Sequence, residues 1–237
     1  MTLRDRYEAV VRRSVAQEVD QVETLPLVLI QACVEVLPVD GAGLSLTREL
    51  RVPLSASSAL VTQAERLQTT LGEGPCLTAS ERREPLVADL ADLRATWPLY
   101  CSELVRLTPF RSVASLPLPG PDGPGLGAVD LYFVAERPVP LAALSEIRSD
   151  VTDQVAALLL GSSSWLAGDP DRADPDNVTR RRMDVWAAVG MVVVGADLDN
   201  RDALAVLRAY AFGHDLSLDE LARQVIGRYV PVAALLS

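Results

Sequence analysis

Two apolar runs, 111–118 (RSVASLPL) and 125–134 (GLGAVDLYFV), are separated by a linker that reads PGPDGPG. Proline, glycine and aspartate in that density cannot extend a strand, and they supply turn conformations at low cost. Two strand-like runs joined in this way form a hairpin, so the chain is committed to an antiparallel sheet. Other segments fit around it. Residues 42–50 (AGLSLTREL) alternate after an Asp40-Gly41 turn, 51–59 (RVPLSASSA) form a weaker second strand, and 84–90 (EPLVADL) read as another. Helical patterning falls on 24–37, with Pro26 in the first turn, on 60–70, on 95–107 and on 140–160 (PLAALSEIRSDVTDQVAALLL). The stretch LGEGPCLTA (71–79) is a glycine- and proline-punctuated turn into a further helix. Strands interrupted by helices, with helices at both ends, predict an α+β domain with a mostly antiparallel sheet.

Ahead of this domain, residues 1–22 carry a helical stripe of Leu3, Tyr7, Val10, Val11, Val15 and Val19, with charged residues elsewhere. Such a helix suits either a dimerisation arm or packing on its own domain. The longest apolar run, 185–196, is about half of a bilayer span. The first residues are charged, so a cytoplasmic protein without a membrane segment is expected. Cys33, Cys76 and Cys101 match neither a disulfide framework nor a zinc pattern. Cys76 follows Gly-Pro at a helix start. That position suits a thiol of lowered pKa in a redox sensor, or simple packing.

Between 161 and 177 the pattern breaks into GSSSWLAGDPDRADPDN, a linker. Domain organisation is therefore expected as an N-terminal helix over 1–22, a domain over 23–161, a linker over 162–177 and a C-terminal domain over 178–237. The formal net charge is −10, and every basic residue is arginine. Residues 1–177 hold 15 Arg against 25 acids, whereas 178–237 hold 7 Arg against 7 acids. The whole chain is thus unsuited to non-specific nucleic-acid binding, and the acidity sits in the first part. Beyond the linker, Asn177 caps a helix over 178–195 that begins with Arg180, Arg181 and Arg182 and turns almost wholly apolar. Those three cations oppose the helix dipole, so they either meet a partner or pair with the linker aspartates. The apolar run from 185 to 194 suggests packing within a dimer as well as within the domain. A second helix, capped by Asp199 or Asn200, runs to Phe212 with Gly213 as its stop. A third opens with the capping box Ser217-Leu218-Asp219-Glu220, turns Leu218, Leu221, Ala222, Val225 and Ile226 inward, and is closed by Pro231.

Over roughly residues 20–160 the segments QTTLGEGPCLTA, EPLVADL, Trp97-Pro98, RSVASLPLP and LGAVDLYF resemble the GAF domains of actinobacterial regulators. The resemblance implies a sensor fold, a central antiparallel sheet whose roofed face can hold a small ligand. It also narrows the ligand. The only histidine, His214, lies outside this region, which removes histidine-stabilised bilin and histidine-ligated haem. The Asn and Lys of the cyclic-nucleotide signature are missing, and three cysteines do not make a four-cysteine cluster. An unidentified small ligand, a partner or a purely structural domain remain, and no cofactor is expected.

Over about 180–228, Ala188-x-Gly190, Ala203, Leu207-Arg208, Ala211 and Leu221-Ala222 resemble the ANTAR domain. That resemblance implies a three-helix RNA-binding module that acts in transcription antitermination, as a homodimer on paired leader-RNA hairpins. By position, Arg208 would be the principal RNA contact, Ala188 and Gly190 would permit close backbone approach, and Arg201, Arg223 and Arg228 would hold phosphates. The sequence departs from the family at Val189, where lysine is common, and in the sparse basic content after Arg208. The implied function is a signal-responsive RNA-binding regulator; the alternative is a protein-interaction and dimerisation module without RNA binding. No nucleophile–base set, metal set or phosphate loop can be assembled, so an enzyme is not expected.

Overall fold

The computed structural model describes residues 1–17, 21–47, 51–120, 125–135, 147–161 and 178–236. The linker expected over 162–177, the Asn177 cap, the centre of the PGPDGPG turn and the start of the helix expected over 140–160 lie outside the described residues. So do the side chains of Val19 and of Arg180, Arg181 and Arg182. The chain divides into two compact units, one of residues 1–68 and 73–167 and one of residues 69–72 and 168–237.

The first unit holds α1 (Leu3–Gln17), α2 (Gln21–Val36), β1 (Gly41–Thr47), β2 (Arg51–Ala56), most of α3 (Ala59–Leu71), α4 (Pro75–Arg82), β3 (Leu86–Ala88), α5 (Leu90–Thr96), α6 (Pro98–Leu107), β4 (Ser112–Leu118) and β5 (Gly127–Phe133). A π-helical turn, Arg148–Thr152, leads into α7 (Asp153–Gly161). The five strands form one sheet in the order β2-β1-β5-β4-β3, with every pairing antiparallel. The expected α+β architecture and hairpin are both present. β2 is an edge strand, which is why Pro53 is tolerated within it, and the β1–β2 register shifts at Leu44/Ser45.

Register divides the sheet into two unlike faces. One carries Ala42, Leu44, Leu46, Val52, Ala114, Leu116, Val129, Leu131 and Phe133, all buried. This apolar face is covered by α2, which contacts β1 and β2, and α7, which contacts β4; α1 packs on α2. Tyr7, Val10 and Val11 supply the buried part of the α1 stripe, and the Tyr7 hydroxyl donates to the Leu29 carbonyl at 3.1 Å. The other face carries Gly41, Gly43, Ser45, Arg51, Ser115, Asp130 and Tyr132, brought level by the pairings Gly43↔Asp130, Ser115↔Asp130 and Gly41↔Tyr132. Small residues on β1 let α3 approach. A Cβ on Gly41 would lie 2.4 Å from Val61 Cγ2, and one on Gly43 2.4 Å from Glu65 Oε1.

In the first unit, three expected element boundaries change. α2 starts at Gln21, so Pro26 sits inside the helix and removes one backbone donor there. The segment 84–90 yields only three strand residues, because Asp89 caps a helix instead. Its side chain accepts from Ala91 N and Asp92 N, and Asp92 returns to the Asp89 N–H. The single helix expected over 95–107 is two helices. A residue before proline is driven out of the helical region, and Trp97 (φ −133°, ψ 70°) ends α5 while Pro98 begins α6.

The second unit holds α8 (Val178–Ala196), α9 (Asn200–Gly213), α10 (Leu218–Ile226) and a 3₁₀ turn, Val232–Leu236. The helices pack on one another through Val185, Ala188, Val189 and Val192 of α8, Ala203, Leu207 and Ala211 of α9, and Leu218, Leu221, Ala222 and Val225 of α10. Asp199 caps α9 by accepting from Asp202 N, and Ser217 and Glu220 form the expected capping box of α10. Gly195 does not stop α8, which continues to Ala196. Ile226 is exposed rather than inward, and α10 ends there, before Pro231. α8 buries one face only, with Val194 86% exposed.

A Cβ on Gly127 would stand 1.9 Å from the Ser45 carbonyl oxygen, a backbone atom that cannot rotate away. Gly127→Ala is expected to destabilise the chain by roughly 2 kcal/mol or more, read as a lower denaturant midpoint with unchanged slope.

Candidate functional site

The polar face of the sheet is roofed by α3, α4 and α6. The buried stripe of α3 is Val61, Ala64, Glu65 and Gln68, a helical i, i+3, i+4, i+7 set in which two of the four members are polar. Glu65 and Gln68 descend onto the strands and meet Arg51, Asp130 and Tyr132. All five side chains are fully buried.

Arg51 organises the cluster. Its Nη1 donates to the Glu65 carbonyl at 2.8 Å, and its Nη2 reaches both Glu65 Oε2 and, at 3.2 Å, Asp130 Oδ2. Its Nε–H points at Cys76 Sγ, 3.1 Å away. Asp130 accepts two further hydrogen bonds, from Ser115 Oγ at 2.5 Å and from Gln68 Nε2 at 3.0 Å. The Tyr132 hydroxyl donates to Glu65 Oε1 at 2.7 Å and lies 3.2 Å from Gln68 Nε2. Ser45 Oγ lies 3.2 Å from the Cys76 sulfur. The Tyr100 hydroxyl of α6, also buried, finds no hydrogen-bond partner with acceptable geometry among the described residues.

The EGPC segment, Glu73 to Cys76, has a physical role at each position. Glu73 accepts from Tyr100 N at 3.1 Å, which caps α6 from a distant loop. Gly74 caps α4 at φ 138°, a conformation open to glycine, and a Cβ there would lie 2.5 Å from Gln68 Oε1. That same oxygen accepts from Cys76 N at 2.9 Å, satisfying an otherwise free amide of the first turn. Pro75 begins the helix and Cys76 delivers its sulfur to Arg51.

Burial and charge set the protonation states. Burial works against the Arg51 charge, but the sulfur and carboxylates around it outweigh that and hold it firmly protonated. Burial raises Glu65 to about 8, against the attraction of Arg51 and with reinforcement from Asp130. Burial likewise pushes the Cys76 thiol up to about 12, which Arg51 only partly opposes. Cys76 is therefore a neutral thiol accepting a charge-assisted hydrogen bond, and the low-pKa redox reading of this residue is not supported. Its partner, Arg51, is 25 residues away in sequence. Cys33 and Cys101 are also free and buried.

Of the residues implied as RNA contacts, Arg201, Arg223 and Arg228 are exposed and Arg208 is half-buried. Gly190 lies on the open side of α8, with nothing within 4 Å of the position its Cβ would take. Ala188 is fully buried in the helix packing, and Val189 beside it is 1% exposed. Tyr210 and His214 stack at the end of α9 with ring centroids 3.8 Å apart. Tyr229, just beyond α10, is 84% exposed.

No protein-family model matches this chain. No curated protein matches it either. Solved structures do. The GAF domain of a phosphoenolpyruvate-protein phosphotransferase from Coxiella burnetii is similar at 16% identity with a TM-score of 0.48, over 70% of this chain and 99% of that one. The corresponding Acinetobacter GAF domain gives 13% and 0.47, over 70% and 96%. The free methionine-R-sulfoxide reductase of Neisseria meningitidis gives 17% and 0.47, over 69% and 93%. The structures similar to this chain thus include GAF domains, and at these identities no activity transfers from them. Among the described residues no helix is long and apolar enough to cross a membrane, and no group of acidic, cysteine or histidine side chains is placed to hold a metal.

Removing Arg51 leaves two carboxyl groups buried without their cation. Arg51→Met is expected to cost about 3–5 kcal/mol, with part recovered in Arg51→Met/Glu65→Gln, both read by chemical denaturation.

Proposed function

We propose that the chain is a signal-responsive RNA-binding regulator of transcription antitermination. The sheet-based unit acts as a sensor for a small ligand or a partner, and the three-helix unit binds hairpin RNA as a homodimer. The observation that carries this reading is the pairing of two differently built units. One holds a buried polar cluster at the heart of a sheet. The other presents exposed arginines, Arg201, Arg223 and Arg228, on a small helical scaffold with an exposed Tyr229. Arginines position a nucleic-acid backbone, and an exposed aromatic ring stacks an unpaired base. The chain is read as a regulator and not as an enzyme.

A second reading has its own support. The three-helix unit also exposes Met183, Val194, Phe212 and Tyr229, and its arginines and acids balance at 7 each over 178–237. Such a surface suits a protein-interaction and dimerisation module. The buried Val189 bears on how the two readings are separated. A lysine there would place a charge in the helix packing, so restoring the family's residue is a stability experiment rather than a gain of RNA affinity.

The deciding test is binding of the full chain to tandem leader hairpins at low and at physiological salt. Binding that weakens with salt is expected, and Arg223→Ala/Arg228→Ala should lower the salt slope by about 2 while the fold is kept. No binding at low salt overturns the RNA reading and leaves the protein-interaction module.

A further inference from the structure

The first unit has an open cavity of about 300 Å³ between α1 and α7, lined by Tyr7, Glu8, Val11, Arg12, Gln154 and Leu158. These side chains are three helical i, i+4 pairs, so each pair runs along one turn of its helix. Tyr7 and Val11 are buried and make the floor. The Tyr7 hydroxyl is engaged by the Leu29 carbonyl, so Tyr7 offers the cavity carbon. Gln154 and Leu158, both half-buried, line it from α7, and Glu8 and Arg12 make the rim on α1. The cavity is therefore apolar at its base and charged at its edge. That charge is unequal in sign. Glu8 accepts from Arg4 Nε at 3.0 Å and lies 3.6 Å from Arg12 Nη1, so one carboxylate serves two guanidiniums. Arg4 is also held by Gln154, whose amide oxygen, in the orientation that suits its neighbours, accepts from Arg4 Nε at 2.8 Å and Nη2 at 2.5 Å. Among the described residues the Arg12 guanidinium has its long ion contact to Glu8 and no hydrogen bond.

We propose that the α1–α7 cavity binds a small amphipathic anion, a short hydrocarbon or aromatic body carrying one carboxylate. The body lies along Tyr7, Val11 and Leu158, and the carboxylate meets Arg12 at the rim. A guanidinium pairs a carboxylate through two parallel hydrogen bonds, which its contact with Glu8 does not supply. Size limits the body. A cavity of this volume is at the small end of ordinary ligand sites, which suits a chain of about eight carbons. Affinity comes mainly from the buried body. Arg12 is exposed to solvent and selects the sign of the charge, since a cation of the same length meets Arg4 and Arg12 together. The position gives the site a use. α1 contacts α2 and the π-helical turn ahead of α7, and α7 is the last helix before the 162–177 segment. A ligand between α1 and α7 ties the first helix of this unit to its last. The proposal names the ligand class and the place for the sensor of the preceding reading, and it rests on that reading for its regulatory use.

The test is isothermal titration of the full chain with octanoate, below the concentration at which it forms micelles. Wild type should show one saturable site, and octylammonium, of the same length and opposite charge, should not bind. Arg12→Glu, at an exposed position, should weaken octanoate binding about tenfold or more, and Leu158→Ser should do the same from the apolar side. Arg6→Glu, exposed on α1 outside the cavity, should bind octanoate as wild type does. No saturable binding by wild type up to about 10 mM octanoate, undiminished binding in Arg12→Glu, or equal binding of octylammonium overturns the proposal. Hairpin-RNA binding by the same preparations keeps the two readings apart. Absent octanoate binding with RNA binding present contradicts the cavity site alone, and the converse contradicts the RNA reading alone.

Discussion

A guanidinium wholly removed from water is the constraint around which the first unit is arranged. Desolvating a charge is expensive, and a buried cation persists only when anions and acceptors surround it closely. Arg51 meets that demand with groups drawn from three elements. Glu65 comes down from α3, Asp130 stands on the central strand β5, and Cys76 arrives at the start of α4. Each of these placements imposes others. Glu65 can reach the sheet because β1 has Gly43 beneath it. Cys76 is presented because Gly74 turns at φ 138° and Gln68 caps the amide. Such a cluster contributes little net stability compared with an apolar core of the same volume, whereas removing one partner from it is costly.

The sheet was largely legible from the sequence, and its two faces were not. The hairpin of β4 and β5 is dictated by the Pro/Gly linker, and the alternation of AGLSLT marks β1. What alternation cannot reveal is that the glycine and serine side of β1 is also buried, because small residues look the same under a close helix as they do in solvent. Arg51, Glu65 and Gln68 look like surface positions for the same reason. Their burial is a property of the set, and Arg51 and Asp130 are 79 residues apart. A signal was available in part, since Glu65 and Gln68 share the helical stripe of Val61 and Ala64. The break at Trp97-Pro98 was equally readable, since a residue before proline seldom stays helical. The capping box of α10 is legible because it is local, whereas Ile226, the last residue of that helix, lies exposed beside the buried Val225.

The second unit has the converse character. Its helices and caps follow from short-range rules, and its packing residues recur at helical spacing. Its function rests on surface chemistry that the same rules leave open. Arg201, Arg223, Arg228 and Gly190 are exposed and Ala188 is not, so Ala188 is the member of the implied contact set without direct access to a ligand. Under the proposed reading, the exposed apolar side chains of this unit would meet a partner, and its balance of charge would limit how far an RNA is drawn from a distance.

The central claim is that the roof helices are held to the sheet by the charge cluster. Hydrogen exchange of the full chain, wild type against Arg51→Met, tests it most directly. The account predicts that amides of α3 and α4 are protected as strongly as those of β4 and β5 in wild type, and lose protection selectively in the variant. Protection of α3 and α4 that stays level with the strands in Arg51→Met would contradict it.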